Sequence, residues 1–305
     1  MTLGYNKPLH ILPFDHRSSF EKNLYGWTGA LSEEQTDKIA RTKDVIYDGF
    51  KVALRKGVRQ ENAGILVDAQ FGDRILRDCV KNGYITCLPA EKSGQAEFQF
   101  EYGDRYASVI EDYQPTFVKT LVRYNPEDDE PMNRRQVARL RELGDYLHSH
   151  GRYFMFELLV PTTVEQMDRV EGDHAHYDRE LRPSLMMGAM KELQSAGVEP
   201  DVWKIEGLDM REDCVKVAEV ARRDGRDHVG CILLGRGSNA QAVIDWLKKA
   251  AGVPGFIGFA VGRTTFWDPI VAYRDGKATR EQAAEQIADN YIAWVNVFKG
   301  AQAQK

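Results

Sequence analysis

The sequence predicts a (β/α)8 TIM barrel of the α/β class, with residues 1–305 forming a single domain. Eight strand-like runs recur along the 305 residues, and most are near-continuous apolar stretches, as strands buried on both faces must be. Helical patterns alternate with these runs, as successive βα units require. No linker, low-complexity segment or internal repeat divides the chain. A doubly wound sheet is the other fold that such alternation allows.

The first strand is expected at residues 9–15. Ser32 and Gln35 then form a capping-box pair ahead of a helix running to about Arg55. Residues 63–68 and 84–90 read as the second and third strands, and residues 104–113 as a helix. The fourth strand spans 117–124, and Asn133 is expected to open a helix ending at Gly151. The fifth strand spans 153–160. Residues 170–182 are polar and read as an elaborated loop or insertion. After a Gly-Val-Glu-Pro turn (Gly197 to Pro200), residues 201–207 form the sixth strand, followed by a helix at 210–224. The seventh strand is expected at 228–235, a helix opened by Asn239 and ended by Gly252 follows, and the eighth strand spans 255–262. A helix over 279–299 completes the series.

Composition narrows the function classes. The chain carries 41 Lys and Arg against 46 Asp and Glu, a net charge of -5, with no basic block to fit nucleic acid. No apolar run reaches membrane-spanning length and the N-terminus lacks a signal-peptide core, so no membrane partner is expected. Cys79, Cys87, Cys214 and Cys231 lack a metal-site spacing and read as reduced core thiols of a cytoplasmic protein. The pairs His148/His150 and His174/His176 also lack metal-site spacing and read as surface pairs, so no metal site is expected. The sequence leaves room for a homo-oligomer.

The chemistry is expected at the C-terminal ends of the strands. Lys204 lies in the apolar run Asp201-Val202-Trp203-Lys204-Ile205-Glu206-Gly207, two residues from Glu206 and therefore on the same face of a strand. A buried ammonium is costly unless paired, and a neutral buried lysine is a nucleophile. Two readings follow: an amine nucleophile acting on a carbonyl substrate, or a Lys-Glu ion pair that only holds the fold. The first strand ends in Asp15, His16 and Arg17 and the second in Asp68, while the fourth carries Lys119 and Arg123 on one face and the fifth carries Glu157. Charges in five strands at compatible depths point to one shared site. Strands seven and eight end in Gly235-Arg236-Gly237 and Gly262-Arg263, glycine–arginine pairs suited to a phosphate.

The motifs Phe14-Asp15-His16-Arg17-Ser18-Ser19-Phe20, Val118-Lys119, Arg123-Tyr124-Asn125-Pro126, Trp203-Lys204-Ile205-Glu206-Gly207 and Gly258-Phe259-Ala260-Val261-Gly262-Arg263-Thr264 resemble those of class I aldolase-like barrels of the DUF2090 type. In some bacteria such a module forms the C-terminal half of an inositol-catabolism protein, behind a 5-dehydro-2-deoxygluconokinase. The chain is also distantly similar to class I tagatose-1,6-bisphosphate and sulfofructose-phosphate aldolases, whose first-strand motif is Asp-Gln-Arg where this chain has Asp15-His16-Arg17. The resemblance implies a Schiff-base lysine at Lys204, a second lysine at Lys119 and a strand-five glutamate at Glu157. It implies no cofactor and no metal, and it implies cleavage of 2-deoxy-5-keto-gluconate 6-phosphate to dihydroxyacetone phosphate and malonic semialdehyde. Another ketose phosphate, a metal-dependent lyase, or a non-catalytic sugar-phosphate-binding partner of a separate kinase are the alternatives. The sequence opens on the first barrel strand, so any kinase activity is expected from another protein.

On this reading Glu157, with Asp15 as competitor, moves protons, and Lys119 or Arg123 supplies a cation that helps to neutralise Lys204. His16, Arg17, Asp68, Arg123 and Glu206 are the candidate substrate-binding residues, with Arg17 assigned to a substrate hydroxyl or distal carboxylate. Gly235, Arg236, Gly237, Gly262 and Arg263 are the candidate phosphate-binding residues.

Overall fold

Eight parallel strands close into a barrel in the order β1 to β8 in the computed structural model, which describes residues 2–235 and 239–303. The strands are β1 (Leu9–Pro13), β2 (Ala63–Leu66), β3 (Ile85–Pro89), β4 (Phe117–Arg123), β5 (Tyr153–Leu159), β6 (Val202–Ile205), β7 (Gly230–Leu234) and β8 (Phe256–Ala260). β1 pairs with both β2 and β8, which leaves no free edge. All eight expected strands are present, each trimmed at its C-terminal end, where the chain turns into a loop.

Two apolar layers explain the continuous hydrophobic runs. Leu9, Ile11, Leu66, Cys87, Phe117, Met155, Val202 and Ile232 belong to the cluster that fills the barrel. The alternate residues, such as Leu12, Ile65, Val118, Phe154, Phe156 and Trp203, pack outward against the helices. Lys119, Glu157 and Lys204 lie two residues beyond Phe117, Met155 and Val202 on their strands. The period of two therefore lays a charged layer directly above an apolar floor.

The helices are α1 (Glu33–Arg55), α2 (Ala69–Lys81), α3 (Tyr106–Tyr113), α4 (Glu130–Ser149), α5 (Val164–Arg169), α6 (His174–His176), α7 (Arg182–Ser195), α8 (Arg211–Arg222), α9 (Ala240–Ala250), α10 (Arg263–Arg274) and α11 (Arg280–Ala303). Ser32 and Gln35 form the reciprocal capping box of α1, and Asn239 caps α9. α4 starts one turn before the expected Asn133. Its cap is Asp129, whose carboxylate accepts from Met132 N at 2.8 Å, while Asn133 is buried and donates to Asn125 O.

The polar segment 170–182 is not an open loop. Its Tyr177 is buried and donates its hydroxyl to Val160 O at 3.1 Å, and Arg182 is buried and donates to Gly207 O at 2.9 Å. Polar heads carried on buried stems pack this segment into α6, a π-helical turn at Tyr177–Leu181 and the start of α7, a role that hydropathy alone does not register. No described helix is long and apolar enough to cross a membrane. All four cysteines are buried, and burial pushes the Cys79, Cys214 and Cys231 thiols up to about 12.

Candidate active site

A cavity of about 430 Å³ opens at the C-terminal mouth of the barrel. Its floor is a chain of charges. Strand register places Glu157 directly beside Lys204, with both side chains pointing inward. Lys204 Nζ lies 2.6 Å from Glu157 Oε1, and Lys119 Nζ lies 2.9 Å from Glu157 Oε2. One carboxylate is therefore shared by two ammonium groups. Lys119 also contacts Asp15 Oδ2 at 2.9 Å and Glu91 Oε1 at 2.6 Å. Lys119 and Lys204 are 1% and 4% exposed, so this network is shielded from bulk solvent.

The electrostatics follow from that geometry. Burial disfavours the Lys119 ammonium, but Asp15, Glu157 and Glu91 outweigh burial and hold its pKa well above the ordinary lysine range. Burial pushes the Asp15 and Glu157 carboxyls up, yet the lysine charges override it and leave both below the usual carboxylate range. Glu91 goes the other way: burial raises it more than Lys119 lowers it. Lys119 is therefore a fixed cation whose charge is matched by three carboxylates. Glu157 stands between the two lysines and offsets there the like charge that Lys119 is expected to supply.

Glu91 was not singled out from the sequence. It lies two residues past Pro89 at the end of β3, just as Asp15 lies two past Pro13 at the end of β1. Its signal in the sequence is a carboxylate one residue beyond the expected third strand.

Three expected substrate-binding residues are engaged with protein groups, two of them outside the cavity lining. Asp68 lies outside the cavity lining: it caps α2 by accepting from Phe71 N at 2.9 Å and forms a buried pair with Lys43. Glu206 lies beyond the end of β6 and also outside the lining, with Oε2 accepting from Val160 N at 3.0 Å. Arg17 lines the cavity, but its guanidinium donates to Glu91 O at 2.8 Å and lies 2.7 Å from Glu101 Oε2. It ties the end of β1 to the loop after β3, and its two terminal nitrogens are taken by protein.

His16 lines the cavity and packs edge-on against Phe266. Burial, only partly opposed by Asp15, lowers its pKa to about 4, which makes it a neutral imidazole near pH 7. His148 is not part of a surface pair: it is half-buried and sits 3.0 Å from Asp201 Oδ2, whereas His174 and His176 are exposed. No group of three or more metal-ligating side chains occurs among the described residues.

Gly235, Gly262 and Arg263 line the β7–β8 side of the cavity. Gly262 precedes α10, which starts at Arg263 beside the cavity, and Thr265 N and Phe266 N close its first turn on Gly262 O. A Cβ on Gly262 would come within 2.5 Å of Pro13 O and 3.3 Å of His16 Cε1. Glycine is thus required there by close packing of the β8 loop on β1, a reason separate from access to an anion. Arg236 and Gly237 lie outside the described residues.

No curated protein sequence matches the chain. Solved structures share its fold. The Corynebacterium glutamicum protein Cgl0159 superposes with a TM-score of 0.59 at 16% identity, covering 96% of this chain and 88% of that one. A fructose-bisphosphate aldolase from Slackia heliotrinireducens gives 0.57 at 15% identity, covering 96% and 86%. A fructose-1,6-bisphosphate aldolase described as Schiff-base forming gives 0.53 at 14% identity, covering 95% and 94%. At these identities the likeness is one of fold. The family model described as "Uncharacterized protein conserved in bacteria (DUF2090)" matches residues 4–302, nearly the whole chain, and the protein belongs to that family.

Proposed function

We propose that this protein is a class I aldolase that cleaves a keto-sugar phosphate through an imine on Lys204, without a metal. The observation that carries this reading is the Glu157 carboxylate, 2.6 Å from Lys204 Nζ and 2.9 Å from Lys119 Nζ at the floor of the cavity. Lys204 can pass a proton to Glu157 Oε1 and attack a ketone as a free amine, while Lys119 keeps the other oxygen neutralised. Loss of water from the carbinolamine leaves an iminium. A base then takes the proton of the hydroxyl two carbons from the imine carbon, and the electrons of the intervening C–C bond flow into the iminium. An aldehyde departs, the enamine is protonated on carbon, and hydrolysis releases the ketone and restores Lys204. Glu157 is the base nearest the nucleophile. Asp15, held ionised by Lys119, is the second.

The resemblance read from the sequence makes 2-deoxy-5-keto-gluconate 6-phosphate the proposed substrate, with dihydroxyacetone phosphate and malonic semialdehyde as products. Imine formation is then at C5 and cleavage at C3–C4. A panel of ketose phosphates assayed for dihydroxyacetone phosphate release in EDTA tests this. The expected result is EDTA-insensitive turnover fastest with 2-deoxy-5-keto-gluconate 6-phosphate. Faster turnover of tagatose or fructose 1,6-bisphosphate would overturn the substrate but keep the imine. Loss of turnover in EDTA, or binding with no turnover of any member, would overturn the aldolase reading itself.

The phosphate is assigned to Gly262 and Arg263, where an arginine and a helix start meet at the β8 end of the cavity. Arg263→Ala is expected to weaken binding of a phosphorylated ketose by about 10- to 100-fold, as loss of a charge-assisted contact should. Its dephosphorylated analogue should be little changed, and an equal loss for both would remove the assignment.

A further inference from the structure

The cations that line the cavity differ in whether a carboxylate pairs with them. Lys119 and Lys204 are paired with carboxylates, and Arg17 is taken up by Glu101 and Glu91 O. Three other cavity-lining cations, Lys92, Arg123 and Arg263, have no carboxylate partner among the described residues. They divide into two groups. Arg263 follows β8. Arg123 ends β4, and Lys92 stands on the loop after β3. In an eight-stranded ring β4 is diametrically opposite β8, and Lys204 on β6 lies a quarter-turn from each.

The loop that carries Lys92 is built to hold it over the cavity. Lys92 N donates to Gln99 O at 2.9 Å and Glu101 N donates to Ala90 O at 2.8 Å, which folds residues 90–101 back on themselves. Arg123 Nη1 donates to Gln95 O at 2.9 Å, and Gln136 accepts from Phe98 N at 2.8 Å. Glu97 is clasped by Arg135 at 2.8 Å and Arg139 at 2.6 Å. One edge of the Arg123 guanidinium anchors the loop, and its charge stays unmatched. These contacts secure the loop to β4 and α4, and the exposed Lys92 remains as the loop's unpaired cation facing the cavity.

We infer that Lys92 and Arg123 form a distal anion subsite, across the barrel from Gly262 and Arg263, which selects ligands carrying a carboxylate at the end remote from the phosphate. The inference deepens the proposed function and rests on that reading for the chemistry between the two ends. It reassigns the distal carboxylate from Arg17, whose fork is closed by Glu101, to the loop after β3. Lys92 is a specificity-determining residue on this account.

A binding comparison that needs no turnover tests the subsite. 6-Phosphogluconate and sorbitol 6-phosphate have the same six-carbon chain and phosphate, and differ at the far end by a carboxylate against a hydroxymethyl group. Neither carries a ketone. Titration calorimetry on the native protein is expected to show 6-phosphogluconate binding about tenfold more tightly, the scale of one charge-assisted contact. Lys92→Met should reduce that preference to about threefold or less, by leaving Arg123 alone at the site, with sorbitol 6-phosphate affinity unchanged. Lys92→Arg should restore the preference. No preference in the native protein, or an equal weakening of both ligands by Lys92→Met, would overturn the subsite. Borohydride trapping of dihydroxyacetone phosphate on the same variant reports on the imine reading separately. Trapping without a carboxylate preference sinks only the subsite, and a preference without trapping sinks only the aldolase reading.

Discussion

Lys204→Met is expected to abolish borohydride trapping and to lower turnover by at least about four orders of magnitude, because removing a covalent nucleophile removes the pathway rather than one contact in it. In the native protein, incubation with dihydroxyacetone phosphate and borohydride should add the mass of the reduced ligand to a peptide containing Lys204. Methionine is close to lysine in length and supports no imine. The fold should survive, because Glu157 keeps its 2.9 Å contact with Lys119 when Lys204 is lost, so no carboxylate is left bare. An unchanged circular dichroism spectrum and thermal midpoint would separate loss of chemistry from loss of structure. Labelling of Lys119 in place of Lys204 would reverse the roles of the two lysines. That outcome runs against the geometry, because Lys119 is enclosed by Asp15, Glu91 and Glu157 and its charged form is the favoured one.

Lys119→Met should have the largest effect on stability. It leaves three buried carboxylates facing one another with only Lys204 to offset them. Removing one partner of a buried ion network costs about 3–5 kcal/mol, read here as a fall in the urea midpoint near pH 7. In the native protein Asp15 and Glu157 have depressed pKa values, so their stabilisation is present above the ordinary carboxylate range and is lost as pH falls through their folded values. In the variant the cation is gone, and crowding should raise the folded carboxylate values above the unfolded ones. Its penalty is then largest at neutral pH and shrinks on acidification, with Glu91, already raised by burial, taking up the first proton. The stability gap between native protein and variant should narrow from about pH 8 to about pH 4, across the range in which carboxylates begin to titrate. A gap that stays constant over that range would mean that Lys119 contributes packing and not charge.

These two expectations assign different work to two lysines that the sequence presents in much the same way. Each is a charged residue in an apolar strand, and nothing in the run around Lys119 or Lys204 says how many carboxylates surround it. That number depends on side chains separated by more than a hundred residues, as with Lys119 and Asp15 at 2.9 Å. Glu91 shows the same limit. It became a site residue because β3 ends beside β4, where Ala90 N donates to Lys119 O at 2.8 Å.

What the sequence determined by itself is the part governed by local periodicity and by end signals. Eight apolar runs separated by helices specify a closed parallel sheet, and alternation along β4, β5 and β6 specifies that Lys119, Glu157 and Lys204 share the interior with Phe117, Met155 and Val202. The capping residues Ser32 and Asn239 fall at their helix starts for the same reason, since a cap is satisfied by donors within three residues. What only the tertiary structure decided is which of the inward or strand-end charges are already spent. Asp68 is consumed by Lys43 and the start of α2, Glu206 by Val160 N, and Arg17 by Glu101, while Lys92 and Arg123 have no carboxylate partner among the described residues. The physical reason is one of range. Side-chain direction is set by backbone geometry over two to four residues, whereas the net charge at a point in a barrel depends on eight strand ends and their loops, which only closure of the ring brings within a few ångströms of one another.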